Sequence, residues 1–187
     1  MVDYKTHCTV CELAAQVTLS DYGRWLHVRG CACGQYGIPR FCAESIDDPT
    51  WPWHGRKHVL AGVLRQAADA ARPLDLRDLE VVKRLLDEAP VPKTTEEKKE
   101  RVFKAIYDEV KTKSTGATLR WKCRKEYTRF FLVNGADLVG VIRLLEQDDH
   151  VGNVSVTTDD IVSFTATSAG YRLAERTTER PFGFTHP

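Results

Sequence analysis

Cys8-Thr9-Val10-Cys11 and Gly30-Cys31-Ala32-Cys33-Gly34 place four thiols in two tight pairs near the start of the chain. Zinc takes four thiolates in a tetrahedral shell, and a turn through Cys-x-x-Cys presents two sulfurs to one ion. The second pair has one spacer residue, where a regular zinc ribbon has two. The expected ligands are therefore Cys8, Cys11, Cys31 and Cys33. Cys42, His7 and His27 stand in reserve, because the tight Cys-x-Cys leaves open whether both its sulfurs reach one ion. Cys8, Cys11 and Cys33 are the firm members, and the fourth lies between Cys31 and Cys42. Disulfides and inert buried thiols are the competing explanations. A site closed by four protein ligands is structural, with no open position for substrate.

The elements around these pairs must bring them together. Glu12 to Leu19 and Trp25 to Arg29 carry β-branched and aromatic residues in partial alternation, and Asp21-Tyr22-Gly23 between them signals a turn. A hairpin there joins the pairs. A module of residues 1–50 is too small to bury a self-sufficient core, and a bound ion supplies the missing stability.

Residues 51–92 read as a helical connector. It opens on Trp51-Pro52-Trp53, either a stacking platform for a base or sugar or, as the default, a cap on a core. Val59, Leu60, Val63, Leu64 and Ala67 repeat at helical spacing. Arg56, Lys57, His58 and Arg65 beside that stripe are candidates for holding a phosphate, with a solvated face as the default. A second helix is expected from Leu76 to Ala89 with Asp75 as N-cap, stopped by Pro90 and Pro92.

Residues 93–178 follow the order helix, strand, helix, helix, hairpin, helix. Thr94 to Glu97 is a capping-box pattern. Leu119, Trp121 and Cys123 alternate with Arg120, Lys122 and Arg124 in a short strand with one basic face. Tyr127 to Val133 reads as a short helix and Ala136 to Gln147 as a longer one. Two strand-like runs, Val151 to Thr157 and Ile161 to Thr167, precede a helix from Ser168. This is the order of a winged helix-turn-helix. The expected fold class is α+β: a small zinc ribbon, a helical linker and a winged helix-turn-helix, with residues 179–187 as a tail or the start of a further domain.

The bulk numbers limit function. The chain has 187 residues, of which 42% are hydrophobic, and a formal net charge of +1. That charge gives no global drive toward nucleic acid or anionic membranes. Met1-Val2-Asp3-Tyr4-Lys5 lacks the hydrophobic run of a signal peptide, and no stretch approaches the roughly 18 apolar residues of a membrane span. The expected compartment is the cytoplasm, where thiols stay reduced, which favours metal over disulfides.

The helix in the recognition position carries Arg143 and Gln147 against Asp137 and Glu146, followed by Asp148 and Asp149, and the wing turn holds Asp159 and Asp160. Carboxylates there oppose groove docking, since phosphate neutralisation supplies most DNA affinity. The concentrated positive feature is Arg120, Lys122, Arg124, Lys125 and Arg129, interleaved with Trp121 and Tyr127. It is a candidate contact for phosphate or a nucleic-acid backbone; the alternative is a strand edge protected by charge. No Gly-x-Ser-x-Gly, P-loop or His-Glu-x-x-His is present. Cys123 among basic residues is a candidate reactive thiol, although alternation places it on the buried face. No catalytic residue is expected.

The segments Cys33-Gly34-Gln35-Tyr36-Gly37-Ile38, Arg56-Lys57-His58-Val59-Leu60-Ala61-Gly62-Val63-Leu64-Arg65 and Phe164-Thr165-Ala166-Thr167-Ser168-Ala169-Gly170-Tyr171-Arg172-Leu173 carry a further signal. In this order the chain resembles the N-terminal zinc-ribbon and winged-helix region of bacterial anti-phage defence proteins. In those proteins the region precedes a Toll/interleukin-receptor-like or nucleoside-deoxyribosyltransferase-like effector domain. The family's second pair is usually Cys-x-x-Cys-Gly; here Gly30 takes its first position. The resemblance implies a structural zinc and a sensing or scaffolding role rather than a reaction. It also implies a protein partner or effector domain, in cis after Pro187 or in trans, with homo-oligomerisation as a further option. A nucleic-acid-binding regulator is the alternative.

Overall fold

The structure is a computed structural model that describes residues 6–113 and 116–178. Ser114 and Thr115, the tail 179–187 and the first five residues lie outside the described residues. The fold is mixed α and β. The chain forms two compact units. One holds the residues up to Val91 together with Arg124–Gly135; the other holds Pro92–Cys123 and the residues from Ala136 on. The cysteine-bearing segment and the helices after it thus share one unit, and Arg124–Gly135 joins them from far along the chain.

In the first unit, β1 (Gln16–Ser20), β2 (Trp25–Cys31) and β3 (Gly34–Pro39) form an antiparallel meander, and the two-residue β4 (Leu74–Asp75) adds to β3 in parallel. The register pairs Leu26 with Ile38 and Val28 with Tyr36. Side chains alternate across a strand, so these four residues share one face, and all four are buried. Two helices, α1 (Arg40–Asp47) and α2 (Lys57–Asp69), cover the apolar side, and α3 (Leu79–Glu88) packs against α2. They bury Cys42, Ala43 and Ile46; Val59, Leu60, Ala61 and Leu64; and Val82 and Leu86.

Asp78 caps α3, its carboxylate accepting from the Val81 N–H at 2.8 Å. The expected cap, Asp75, is instead in β4, paired opposite Gly37. The expected short helix 127–133 is a single helical turn, α5 (Cys123–Glu126), running into a 3-10 helix (Tyr127–Phe130) that Phe131 ends at φ 58°. Trp51 is buried and packs edge-on against Trp53, with ring centroids 5.7 Å apart. The pair therefore belongs to the core.

In the second unit, α4 (Thr95–Val110) begins with a capping box: the Glu97 N–H donates to the Thr94 hydroxyl at 3.1 Å, and the Glu97 carboxylate accepts from the Lys93 N–H. After β5 (Thr118–Lys122) come α6 (Gly135–Gln147), β6 (Val151–Val156), β7 (Ile161–Ala166) and α7 (Ser168–Thr178). The sheet order is β5-β7-β6, antiparallel throughout, with β5 on an edge. Its core joins Leu119, Trp121, Val162 and Phe164 to the inward residues of α4 and α6: Val102, Ile106 and Val110, and Leu138, Ile142 and Leu145. Trp121 meets Phe164 edge-on at 5.2 Å, and its indole N–H donates to Glu109 at 2.8 Å.

Candidate metal centre

Two turns position the four thiols. The first is closed by hydrogen bonds from the Cys8 N–H to Leu13 O and from the Glu12 N–H to Cys8 O, both 2.8 Å. Inside it the Cys11 N–H points at Cys8 Sγ, 3.5 Å away. Glu12 makes the bend in a left-handed conformation at φ 61°. Its carboxylate accepts from the Lys57 ammonium at 3.0 Å, and Asp47 lies 3.9 Å from the same nitrogen. Lys57 is buried, and these carboxylates compensate its charge.

The second turn explains how one spacer suffices. Cys31 and Gly34 are paired across a two-residue hairpin turn whose central residues are Ala32 and Cys33. An extended Cys-x-Cys spaces its sulfurs along a strand; here the chain reverses between them and both face the same point. The register of β2 against β3 shifts between Val28 and Cys31, and Gly30 and Gly34 both have φ of 80°. Glycine adopts that conformation without the steric cost of a Cβ. Gly34 is also pressed on α2: a Cβ there would lie 2.4 Å from that of Ala68.

The four sulfurs lie within 4.8 Å of one another. Cys8 and Cys33 stand 3.7 Å apart. Two ligands at about 2.3 Å on one tetrahedral centre are separated by about 3.8 Å, whereas a disulfide closes to about 2.05 Å. All six cysteines are free thiols. Cys8, Cys31 and Cys33 are buried and Cys11 is half-buried.

The thiols divide electrostatically. Cys11 is held far below an ordinary thiol by hydrogen bonds from Cys31, Cys33 and Cys8. For Cys8 the neighbouring Cys11 pushes upward, but bonds from Cys31 and Cys33 prevail and lower it. Cys31 is pushed up, chiefly by Cys11, and Cys33 by burial and then by Cys11 and Cys31. The surroundings thus draw Cys8 and Cys11 toward the thiolate and Cys31 and Cys33 toward the thiol. A divalent cation fits among them by replacing the thiol protons, since each ligand must be a thiolate.

Tyr36 completes the surround. It is buried, with its hydroxyl 3.1 Å from Cys8 Sγ. Burial, and then the negative charge at Cys8, raise its pKa well above that of an ordinary phenol. It stays protonated and donates to the sulfur. The spacing of the cysteines points to neither Tyr36 nor the left-handed Glu12 as part of the site.

The reserve ligands lie elsewhere. Cys42 is buried on α1, outside the thiol group, its thiol pushed up to about 11 by burial and then by the charge of Asp78. His7 bonds Thr6 at 3.0 Å, and His27 bonds Ser20 at 2.8 Å on the exposed side of the β1–β2 hairpin. Cys123 is buried, and its thiol is raised by burial and then by Asp160, the reverse of activation.

Of the basic residues, Arg120 and Lys122 are exposed on edge strand β5 in the second unit. Arg124, Lys125 and Arg129 belong to the first unit. Arg129 pairs with Glu126 at 3.0 Å and reaches Asp69 at 3.9 Å. No helix among the described residues is long and apolar enough to cross a membrane. Comparisons with protein-family models, curated proteins and solved structures give no match to this chain.

Proposed function

We propose that this chain is a non-enzymatic sensing or adaptor module stapled by one structural zinc ion. Cys8, Cys11, Cys31 and Cys33 hold the metal, and a protein partner or nucleotide-like signal binds the surfaces that the staple positions. The observation that carries this reading is the closed set of four thiols within 4.8 Å. With four protein sulfurs on the ion, no position remains for a substrate or an activated water.

Residues 1–50 are read as a zinc-ribbon-like module, residues 51–92 as a helical connector and residues 93–178 as a winged helix. The winged-helix reading draws support from the order α4, β5, α6, β6, β7 and from β7 lying between β5 and β6. On α6, the helix in the recognition position, Arg143 is bound by Glu146 at 2.6 Å, and Asp137 holds Lys98 at 3.4 Å. That charge is already compensated within the unit, which favours a protein partner over a phosphate backbone. The setting that fits is a cytoplasmic bacterial defence or regulatory system, with an effector domain as the partner.

The second reading is a nucleic-acid-binding regulator, favoured by the exposed Arg120 and Lys122 on β5. Metal analysis and a salt titration separate the readings. Elemental mass spectrometry of the purified chain is expected to give one zinc per chain, lost in Cys8→Ser and in Cys33→Ser. A preparation that neither contains zinc nor takes it up overturns the staple. A labelled generic duplex is expected to show no shift at low salt; a salt-dependent shift abolished by Arg120→Glu with Lys122→Glu would move the assignment to the second reading.

A further inference from the structure

The spacer of the second ligand turn, Ala32, has its carbonyl held by donors from two distant parts of the chain. The Thr128 hydroxyl donates to it at 2.9 Å and an Arg65 guanidinium N–H at 3.4 Å. The same two donors reach Lys125 O, at 3.3 and 3.4 Å. Two donors and two carbonyls therefore tie the Cys31-Ala32-Cys33 turn to Arg124–Gly135. Thr128 is completely buried, one of few polar side chains in the interior. Next to it, Tyr127 is buried as well. Three residues on, Phe131 seats its ring on Gly62 of α2.

We propose that Arg124–Gly135 is a clasp on the thiol cluster. Thr128 and Arg65 are positioning residues for the Cys31–Cys33 ligand turn, and a bound metal in turn keeps the clasp closed. This inference rests on the zinc assignment. A bound ion fixes the Cys31 and Cys33 sulfurs and hence the peptide between them. The Ala32 carbonyl then stands as a preorganised acceptor for Thr128 and Arg65. Without the ion nothing ties the Cys31 and Cys33 sulfurs to those of Cys8 and Cys11, the turn is no longer fixed, and the acceptor is lost. Coupling between two binding events is reciprocal, so the clasp must retain the metal as strongly as the metal retains the clasp.

The clasp has reach because of its place in the chain. β5 ends at Lys122 and α6 starts at Gly135. The segment that reads the metal is the connection between two elements of the other unit.

The test uses the full zinc-loaded chain and transfer of zinc to a chromophoric chelator. Thr128→Val is expected to release zinc about tenfold faster or more, the usual scale for removing a group that orients a metal ligand, at unchanged stoichiometry. Thr128→Ser, which keeps the hydroxyl, is expected to restore slow release. Ser45→Ala deletes a hydroxyl bonded to Phe41 O on α1 and is expected to release zinc at the parental rate. Hydrogen exchange on the unmodified chain gives an independent readout. Chelation is expected to deprotect the Tyr127–Leu132 amides while Leu138–Leu145 of α6 stay protected. Parental release from Thr128→Val, equally fast release from Ser45→Ala, or unchanged protection of Tyr127–Leu132 after chelation overturns the clasp while the zinc site stands. A chain that takes up no zinc overturns the zinc assignment instead.

Discussion

Phe131 packs its ring against Gly62, the one position of α2 that has no side chain to obstruct it. A Cβ on Gly62 would come within 2.5 Å of the Phe131 ring. Glycine inside a helix costs about 1 kcal/mol relative to alanine, so helix propensity alone favours Gly62→Ala. Overpacking a filled core costs about 1–3 kcal/mol, and Phe131 cannot easily yield, being buried at a left-handed φ of 58°. The clash is expected to win. Gly62→Ala should lower the thermal midpoint by a few degrees, and adding Phe131→Leu should return part of the loss. A rise in the midpoint for the single variant would show that the ring is free to move.

Gly34 and Gly30 separate steric contact from backbone strain at the second ligand turn. Both have φ of 80°, but a Cβ on Gly34 meets Ala68 at 2.4 Å, whereas one on Gly30 meets nothing within 4 Å. Gly30→Ala is expected to cost about 1–2 kcal/mol of left-handed strain and still to bind zinc. Gly34→Ala bears the same strain plus a collision between β3 and α2, and is expected to lose zinc in dialysis. Equal zinc content in the two variants would contradict this ranking.

What could be read beforehand was what local spacing controls. The sulfur pairs, the Thr94–Glu97 capping box, the inward residues of α2 and the alternation of Leu119 and Trp121 each depend on neighbours within about one helical turn or one strand. What escaped depended on distant residues. Helix α1 follows Pro39 directly and spans Arg40–Asp47, too short for a periodic pattern to emerge. Strand β4 has two residues and exists only by pairing with β3. Thr128 reads as an ordinary polar residue in a basic stretch, and its partner carbonyl lies 96 positions away. Asp78 and Asp75 are equally good caps by type; the parallel pairing at Gly37 decides between them. The one-residue spacer between Cys31 and Cys33 looked like a departure from the ribbon pattern because sequence shows the spacing but not the hairpin turn that reverses it.

Cys42 predicts an alkaline weakness of the first unit. Its thiol rises from 9.0 to about 11 through burial and then the charge of Asp78. A thiol raised in the folded state keeps its proton while the unfolded chain has already released its own. The unfolded state then binds fewer protons, and stability falls as pH rises. This contribution is whole below about pH 9 and is lost on the way to about pH 11, by on the order of 1–3 kcal/mol. Urea midpoints between pH 8.5 and 11 should decline, and Cys42→Ala should flatten that decline even if it lowers the curve overall. An unchanged slope in Cys42→Ala would assign the loss to other groups.

Zinc uptake should release protons in a number set by the cluster itself. Cys8 and Cys11 are held below the ordinary thiol range and are expected to be thiolates before metal arrives; Cys31 and Cys33 are pushed above it and are expected to hold their protons. A four-thiolate site must lose the remaining protons on binding, about two per ion near neutral pH. Each unit fall in pH should then weaken zinc binding roughly a hundredfold while that proton count holds. Isothermal titration in buffers of different ionisation enthalpy measures the number directly. Close to four protons would mean that the metal-free thiols are all neutral, and close to none that all four are already thiolates. Tyr36→Phe is expected to raise the count, because removing the hydroxyl that donates to Cys8 Sγ weakens the hold on that thiolate. A count unchanged in Tyr36→Phe would show that the Cys31 and Cys33 hydrogen bonds suffice to keep Cys8 ionised.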